Sequence, residues 1–139
     1  MDPNFASAHF NLSVAYQDMG KYDLWLQEWE KYATAANDRE DLAVAEDAAR
    51  VYRKSGYQAA LRQIIAREEE LAKRRYVDPG SLAYWYAELN DRDQTFRWLE
   101  RAYSEKAESL QVIQIVRPMD RYRSDPRYVD LLKRMGLPQ

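Results

Sequence analysis

The sequence contains no cysteine and a single histidine, His9. Without thiols there is no disulfide framework and no thiolate metal site. With one imidazole, no HExxH motif and no histidine triad beyond that one side chain can be assembled. The absence of cysteine fits a reducing compartment. Glycine and proline are scarce, four and five in 139 residues. Gly20, Gly56, Gly80 and Gly136 are isolated, so no glycine-rich loop is present to cradle a phosphate. No apolar run approaches the length of a membrane span. The opening Met1-Asp2-Pro3-Asn4 lacks the basic and apolar regions of a signal peptide. One-sided charge is missing too: the formal net charge is −2, with both signs interspersed, which removes bulk attraction to nucleic acid. These absences predict a chain that is not an enzyme and has no cofactor and no metal. They also predict no nucleic acid bound by this region and no membrane partner. The expected compartment is the cytoplasm, with the periplasm as the alternative if a parent protein carries a transmembrane segment.

What is abundant is aromatic: eleven Tyr and four Trp. Few breakers and many large apolar residues predict helices packed on helices. Gly20, Gly56 and Asn90 each separate two apolar helical stretches, at spacings of 36 and 34 residues by subtraction. A period near 34 predicts repeated helix pairs.

In the first pair, Ala8, Leu12, Ala15, Tyr16 and Met19 form an apolar stripe on a helix near 5–19. Tyr22, Trp25, Leu26, Trp29, Tyr32 and Ala33 do so on a second helix near 22–36, and Asn37-Asp38 marks a turn. The second pair spans 39–55 and 57–75. The first of its stripes is Leu42, Ala45, Ala48, Ala49 and Tyr52. The other is Tyr57, Ala60, Leu61, Ile64, Ile65, Glu68 and Leu71. Asp78-Pro79 opens a third pair as N-cap and first helical residue, with helices near 79–89 and 92–105. For residues 108–119, period alone leaves a short helix and a strand both open, and the helical surroundings favour the helix. Asp125-Pro126 starts a last helix near 126–135, stopped by Gly136 and Pro138. Gly20 and Gly56 are expected in left-handed C-terminal conformations.

Several clusters have a chemical and a plain reading. His9 reads as a half-buried packing residue rather than a ligand. Asp91-Arg92-Asp93 reads as a helix-capping turn rather than a metal site. Glu68-Glu69-Glu70 reads as a solvated face. The Trp25–Trp29 and Trp85–Tyr86 pairs read as core rather than base-stacking platforms. Arg117, Arg121, Arg123 and Arg127, interrupted by Asp120 and Asp125, read as a solvated, paired surface.

Asn11-Leu12-Ser13-Val14-Ala15-Tyr16, Gly20, Tyr22 and Trp29 resemble a tetratricopeptide repeat. The second repeat is weaker and rests on Ala49, Tyr52, Gly56, Ala60 and the spacing. Trp25 and Tyr32 stand where the family has small residues. Tyr76-Val77-Asp78-Pro79, Trp98 to Tyr103, and Ser124-Asp125-Pro126 through Pro138 resemble the C-terminal repeat regions of bacterial regulators. These are winged-helix transcription regulators, adenylate cyclases and serine/threonine kinases.

The resemblance implies an all-α fold, an α-solenoid of antiparallel helix pairs. The expected organisation is a single domain over residues 1–139, with repeats near 5–38, 39–75 and 78–105. A capping segment over 106–139 follows, and the whole reads as excised from a longer protein. The implied function is binding of a protein or peptide, as the interaction or sensory region of a bacterial regulatory protein. The rival reading is a homo-oligomer, motivated by Trp25 and Tyr32. The resemblance places the partner-binding concave face on the first helix of each pair. In the first repeat these positions are Ser7, Phe10, Asn11, Val14, Gln17 and Asp18. In the second they are Glu46, Asp47, Arg50, Arg53 and Lys54, and in the third Ser81, Tyr84 and Glu88. Some relatives clamp acidic C-terminal peptides with Lys, Asn and Arg. Phe10 and Val14 occupy matching places here, so tight binding of such tails is not expected.

Overall fold

A computed structural model describes residues 3–138, with the side chains of residues 8–113 and 115–138. Every regular element among the described residues is helical. Seven α-helices are α1 (Pro3–Asp18), α2 (Tyr22–Ala35), α3 (Arg39–Ser55), α4 (Tyr57–Leu71), α5 (Pro79–Glu88), α6 (Arg92–Ser104) and α7 (Pro126–Arg134). Two 3₁₀ segments, Glu108–Ile115 and Arg117–Tyr122, lie between α6 and α7. No described helix is long and apolar enough to cross a membrane. The chain divides into two compact units, Met1–Arg67 and Glu68–Gln139.

Four of the helix starts follow from short acidic caps. Asp38, Asp78, Asp91 and Asp125 each accept a hydrogen bond from a backbone N–H in the first turn of α3, α5, α6 and α7. Such a bond satisfies one orphan donor and places negative charge at the positive end of the helix dipole. Proline at the first position of α5 and α7 adds a preset φ. The breaks use positive φ: Gly20 at +75°, Asn37 at +56°, Asn90 at +59° and Lys106 at +55°. Gly56 departs from the left-handed turn expected of it, with φ +93° and ψ −177°. That extended positive-φ region is accessible essentially to glycine alone.

In the N-terminal unit α1 packs on α2, and α2 on α3. His9 contacts Glu28 and Ser13 bonds the Trp25 carbonyl. One residue number rises as the other falls, so α1 and α2 are antiparallel. Trp25, Leu26, Val44, Ala45, Ala48, Leu61 and Ile64 are buried. Tyr57 stacks on Tyr22 at 3.8 Å and meets the edge of Trp25 at 5.5 Å, which ties the start of α4 to α2.

The face of α1 turned inward is not the apolar stripe expected from sequence. Of that stripe Ala8, Leu12, Ala15 and Met19 are exposed and Tyr16 is half-buried, whereas Ser13 is buried and Gln17 is 2% exposed. The polar atoms of these two residues are satisfied. Ser13 Oγ donates to Trp25 O at 3.1 Å and Gln17 Nε2 to Tyr57 Oη at 3.0 Å. Burial of a hydrogen-bonded polar group costs little, and the small Ser13 lets α2 approach closely.

The α4 helix stops at Leu71, four residues before the expected end. Lys73 and Arg74 donate to carbonyls three residues back. Residues 72–75 are all exposed and bury nothing that would hold another α-turn. Glu68 and Glu69, read as solvated, are half-buried. Glu68 accepts from the Trp85 indole at 3.0 Å and Glu69 from the Tyr86 hydroxyl at 2.5 Å. Only Glu70 of the three is exposed, paired with Lys73. Burial and the Glu69 hydrogen bond push the Tyr86 phenol far up.

In the C-terminal unit α5 packs on α6, and the tail packs on both. The stretch expected as a short helix, 108–119, is 3₁₀. Its β-branched Val112, Ile113, Ile115 and Val116 disfavour an α-helix, and side chains three apart eclipse. Leu110 and Ile113 therefore face inward together while Val112 and Ile115 face out. Bonds from this tail to α5 join residues 31, 29 and 32 apart: Asp78–Ser109, Glu88–Arg117 and Asn90–Tyr122. Bonds from α7 to α6 join residues 34 apart, Asp93–Arg127 and Glu100–Arg134. Near-constant offsets mean that the 3₁₀ segments run parallel to α5, and α7 parallel to α6.

Candidate partner-binding surface

On α1, Ser7 lies outside the described side chains. Phe10 is 51% exposed, its ring 5.5 Å from Tyr32 of α2. Asn11 and Asp18 are exposed and Val14 is half-buried. Gln17 has to be removed from the expected surface, because its amide is committed inside the unit to Tyr57.

On α3, Glu46, Arg50, Arg53 and Lys54 are exposed at helical spacing. Asp47 is half-buried and pairs with Arg50 on its own helix and with Arg67 of α4 at 3.2 Å. Arg50 is thus partly engaged by a carboxylate of its own chain. Glu30 of α2 faces the same group. Burial raises its carboxyl above the usual value of 4.5, the Glu46 charge raises it further, and Arg53 and Arg50 act against both.

In the C-terminal unit Ser81 and Tyr84 are half-buried, and Tyr84 meets the edge of Trp85 at 5.0 Å. Glu88 is a second correction. Its side chain is 4% exposed and accepts from Arg117 Nη2 at 2.5 Å. An arginine brought in by the tail, 29 residues on, covers it.

His9 is a packing residue with a definite partner. Its Nδ1 lies 2.6 Å from Glu28 Oε2, and Lys31 Nζ reaches the other oxygen at 3.1 Å. Burial opposes ionisation of Glu28, but the hydrogen bonds and charges of His9 and Lys31 outweigh it and hold the carboxyl below 4.5. Beside this cluster an open groove of about 620 Å³ is lined by His9, Gln27, Glu30, Lys31, Thr34 and Ala35. The sequence reading passed over it. Its signal is the polar stripe Gln27, Glu30, Lys31 and Thr34, recurring at steps of three and four on the side of α2 away from Trp25 and Leu26.

Among the described residues no group of three or more His, Asp or Glu is placed to hold a metal. Trp25 is 2% exposed and Trp29 and Trp85 are buried, all within their helices' inner faces. Tyr32 is half-buried against Phe10. Neither Trp25 nor Tyr32 offers a free aromatic surface. Comparison with protein-family models, curated proteins and solved structures finds no match to this chain.

Proposed function

We propose that the chain is a tetratricopeptide-like helical-repeat module that binds a protein or peptide, serving as the interaction region of a larger regulatory protein. The observation that carries this reading is Phe10, half-exposed yet held in orientation by Tyr32. A preoriented aromatic loses little freedom on binding and is the type of residue that dominates protein interfaces. The exposed charges of α3 supply a polar surround on the same unit. The repeat assignment draws support from the offsets of 29–34 residues that relate the tail to α5 and α6. The 34-residue offset of α7 from α6 equals the Gly56–Asn90 spacing, and on this reading residues 108–134 stand in for one further, degenerate helix pair.

The test is a peptide array probed with the labelled chain and with Phe10→Ala. The reading expects a set of peptides whose binding falls at least tenfold in the variant, at unchanged melting temperature. Equal binding by both proteins would refute the assigned surface. A second reading, self-association, is favoured by one observation: the exposed apolar side of α1.

A further inference from the structure

The connection between α4 and α5 takes seven residues, 72–78, whereas the other links between consecutive helical elements take one or three. Residues 72–76 are all exposed, the longest unbroken exposed run among the described side chains. Tyr76 is 67% exposed and the Lys73 side chain 72%. Turn-type hydrogen bonds reach Arg75, whose N–H donates to Leu71 O at 2.9 Å. From Tyr76 to Asp78 the backbone is in neither helix nor turn. Three consecutive cations, Lys73-Arg74-Arg75, thus lead directly into irregular chain. Both ends of the segment are pinned. Before it, Glu68 accepts from the Trp85 indole and Glu69 from the Tyr86 hydroxyl. After it, Asp78 accepts from Gly80 N and from Ser109 Oγ. The segment is an exposed arch on a fixed support rather than a frayed end.

We propose that this arch is a processing site for an endoprotease of basic specificity, one whose specificity pocket holds a carboxylate, with cleavage after Arg74 or Arg75. Such a pocket pairs its acid with a Lys or Arg side chain of the substrate. Nicking concentrates on exposed loops because a helix has to open locally before a protease can straighten it. Hydrolysis at Arg75 breaks the Arg75–Tyr76 amide bond. Water supplies the hydroxyl of the new Arg75 carboxyl group and a proton for the new Tyr76 amine. The first fragment carries α1 to α4, with Phe10 and the exposed charges of α3, and the second carries α5 to α7, with Tyr84. Cleavage would divide the candidate partner-binding residues between two chains.

Trypsin is the probe. The chain has 21 Lys and Arg residues, most of them on α-helices, so the position of the first cut is informative. Brief digestion of the folded chain, followed by intact-mass analysis, should give a first fragment ending at Lys73, Arg74 or Arg75. That cut should form about tenfold or more faster than any other, since the helical sites need local opening. The triple variant Lys73→Gln, Arg74→Gln, Arg75→Gln should survive about tenfold longer, because its remaining sites depend on such opening. Its melting temperature should match the parent's, as all three side chains are exposed. In urea, where the fold no longer selects the site, the preference should vanish. A first cut at Lys21, Lys106 or Arg123, each exposed in a three-residue link, would overturn the proposal. Equal lifetimes of the folded parent and the variant would overturn it as well.

Discussion

Gly80 sits in the first turn of α5, where an alanine would ordinarily improve a helix by up to about 1 kcal/mol. The structure predicts the opposite effect. An added Cβ would overlap Ser109 Oγ and lie 2.6 Å from Ser109 Cβ. Ser109 is not free to turn away. Its Oγ donates to Asp78 Oδ1 at 2.7 Å and its N–H to Asp78 Oδ2 at 3.2 Å. The same Asp78 Oδ1 caps α5 through Gly80 N at 2.8 Å. Relief requires either loss of the Ser109 hydroxyl bond, about 1.5–3 kcal/mol for a charged acceptor, or displacement of the first 3₁₀ segment. Overpacking of this kind costs roughly 1–3 kcal/mol. Net of the helix gain, Gly80→Ala should destabilise by about 0.5–2 kcal/mol. The assay is a double-mutant cycle with Ser109→Gly, followed by urea unfolding. Ser109→Gly removes both clashing atoms, so adding Gly80→Ala in that background should cost little or nothing. A coupling of about 1–2 kcal/mol is the expected magnitude for residues in contact. If Gly80→Ala is neutral or stabilising, the tail does not dock against α5 in this way.

Gly20→Val should destabilise by about 1–2 kcal/mol through backbone strain alone, since φ is +75° and a Cβ there meets open space; an unchanged melting temperature would contradict the turn. Glu30 binds its proton more tightly in the folded state, so its ionised form weakens the fold above its raised pKa and that handicap vanishes as pH falls toward 4.5. Glu30→Gln should therefore raise the melting temperature at pH 7 and lose its advantage near pH 4.5. Glu28 has the opposite sign: its lowered pKa stabilises above 4.5, and Glu28→Gln should lower the melting temperature at pH 7, with the deficit shrinking under acid. Truncation after Tyr103 should give an unfolded or aggregating product, because the tail contributes buried Leu110, Ile113, Met119, Tyr122, Tyr128, Leu131 and Leu132. Full burial of one such side chain contributes about 1.5–3 kcal/mol, and a soluble truncated chain with the parent's melting temperature would refute this. Titration with acidic C-terminal peptides should show no micromolar binding, and a complex abolished by Arg50→Ala would overturn that expectation.

The starts of α3, α5, α6 and α7 were legible because each is encoded locally. Asp38, Asp78, Asp91 and Asp125 act on N–H groups two or three residues on, so a short window holds both partners. What sequence could not supply was the direction in which a stripe faces. On α1 the 3.6-residue period correctly finds an apolar side, but period is silent on whether core or solvent lies beyond it. The buried residues there are Ser13, on which the apolar pattern is silent, and Gln17, which reads as surface until Tyr57 Oη, forty residues on, is seen to receive its hydrogen. Glu68 and Glu69 misled for the same reason, their donors lying seventeen residues away on α5. Glu88 was misplaced because Arg117 arrives from a segment whose path no local pattern fixes.

These misreadings share one physical cause. A polar side chain is assigned to the surface from its own cost of burial, yet a partner elsewhere in the chain can offset that cost. On α1 the exchange has a functional corollary. Once Ser13 and Gln17 have taken the inner face, Leu12 and Met19 remain outside, where they contribute little to the monomer. Exposed large apolar residues aligned at helical spacing favour association. The same two polar hydrogen bonds that conceal the orientation of α1 from the sequence therefore leave Leu12 and Met19 on the solvent side.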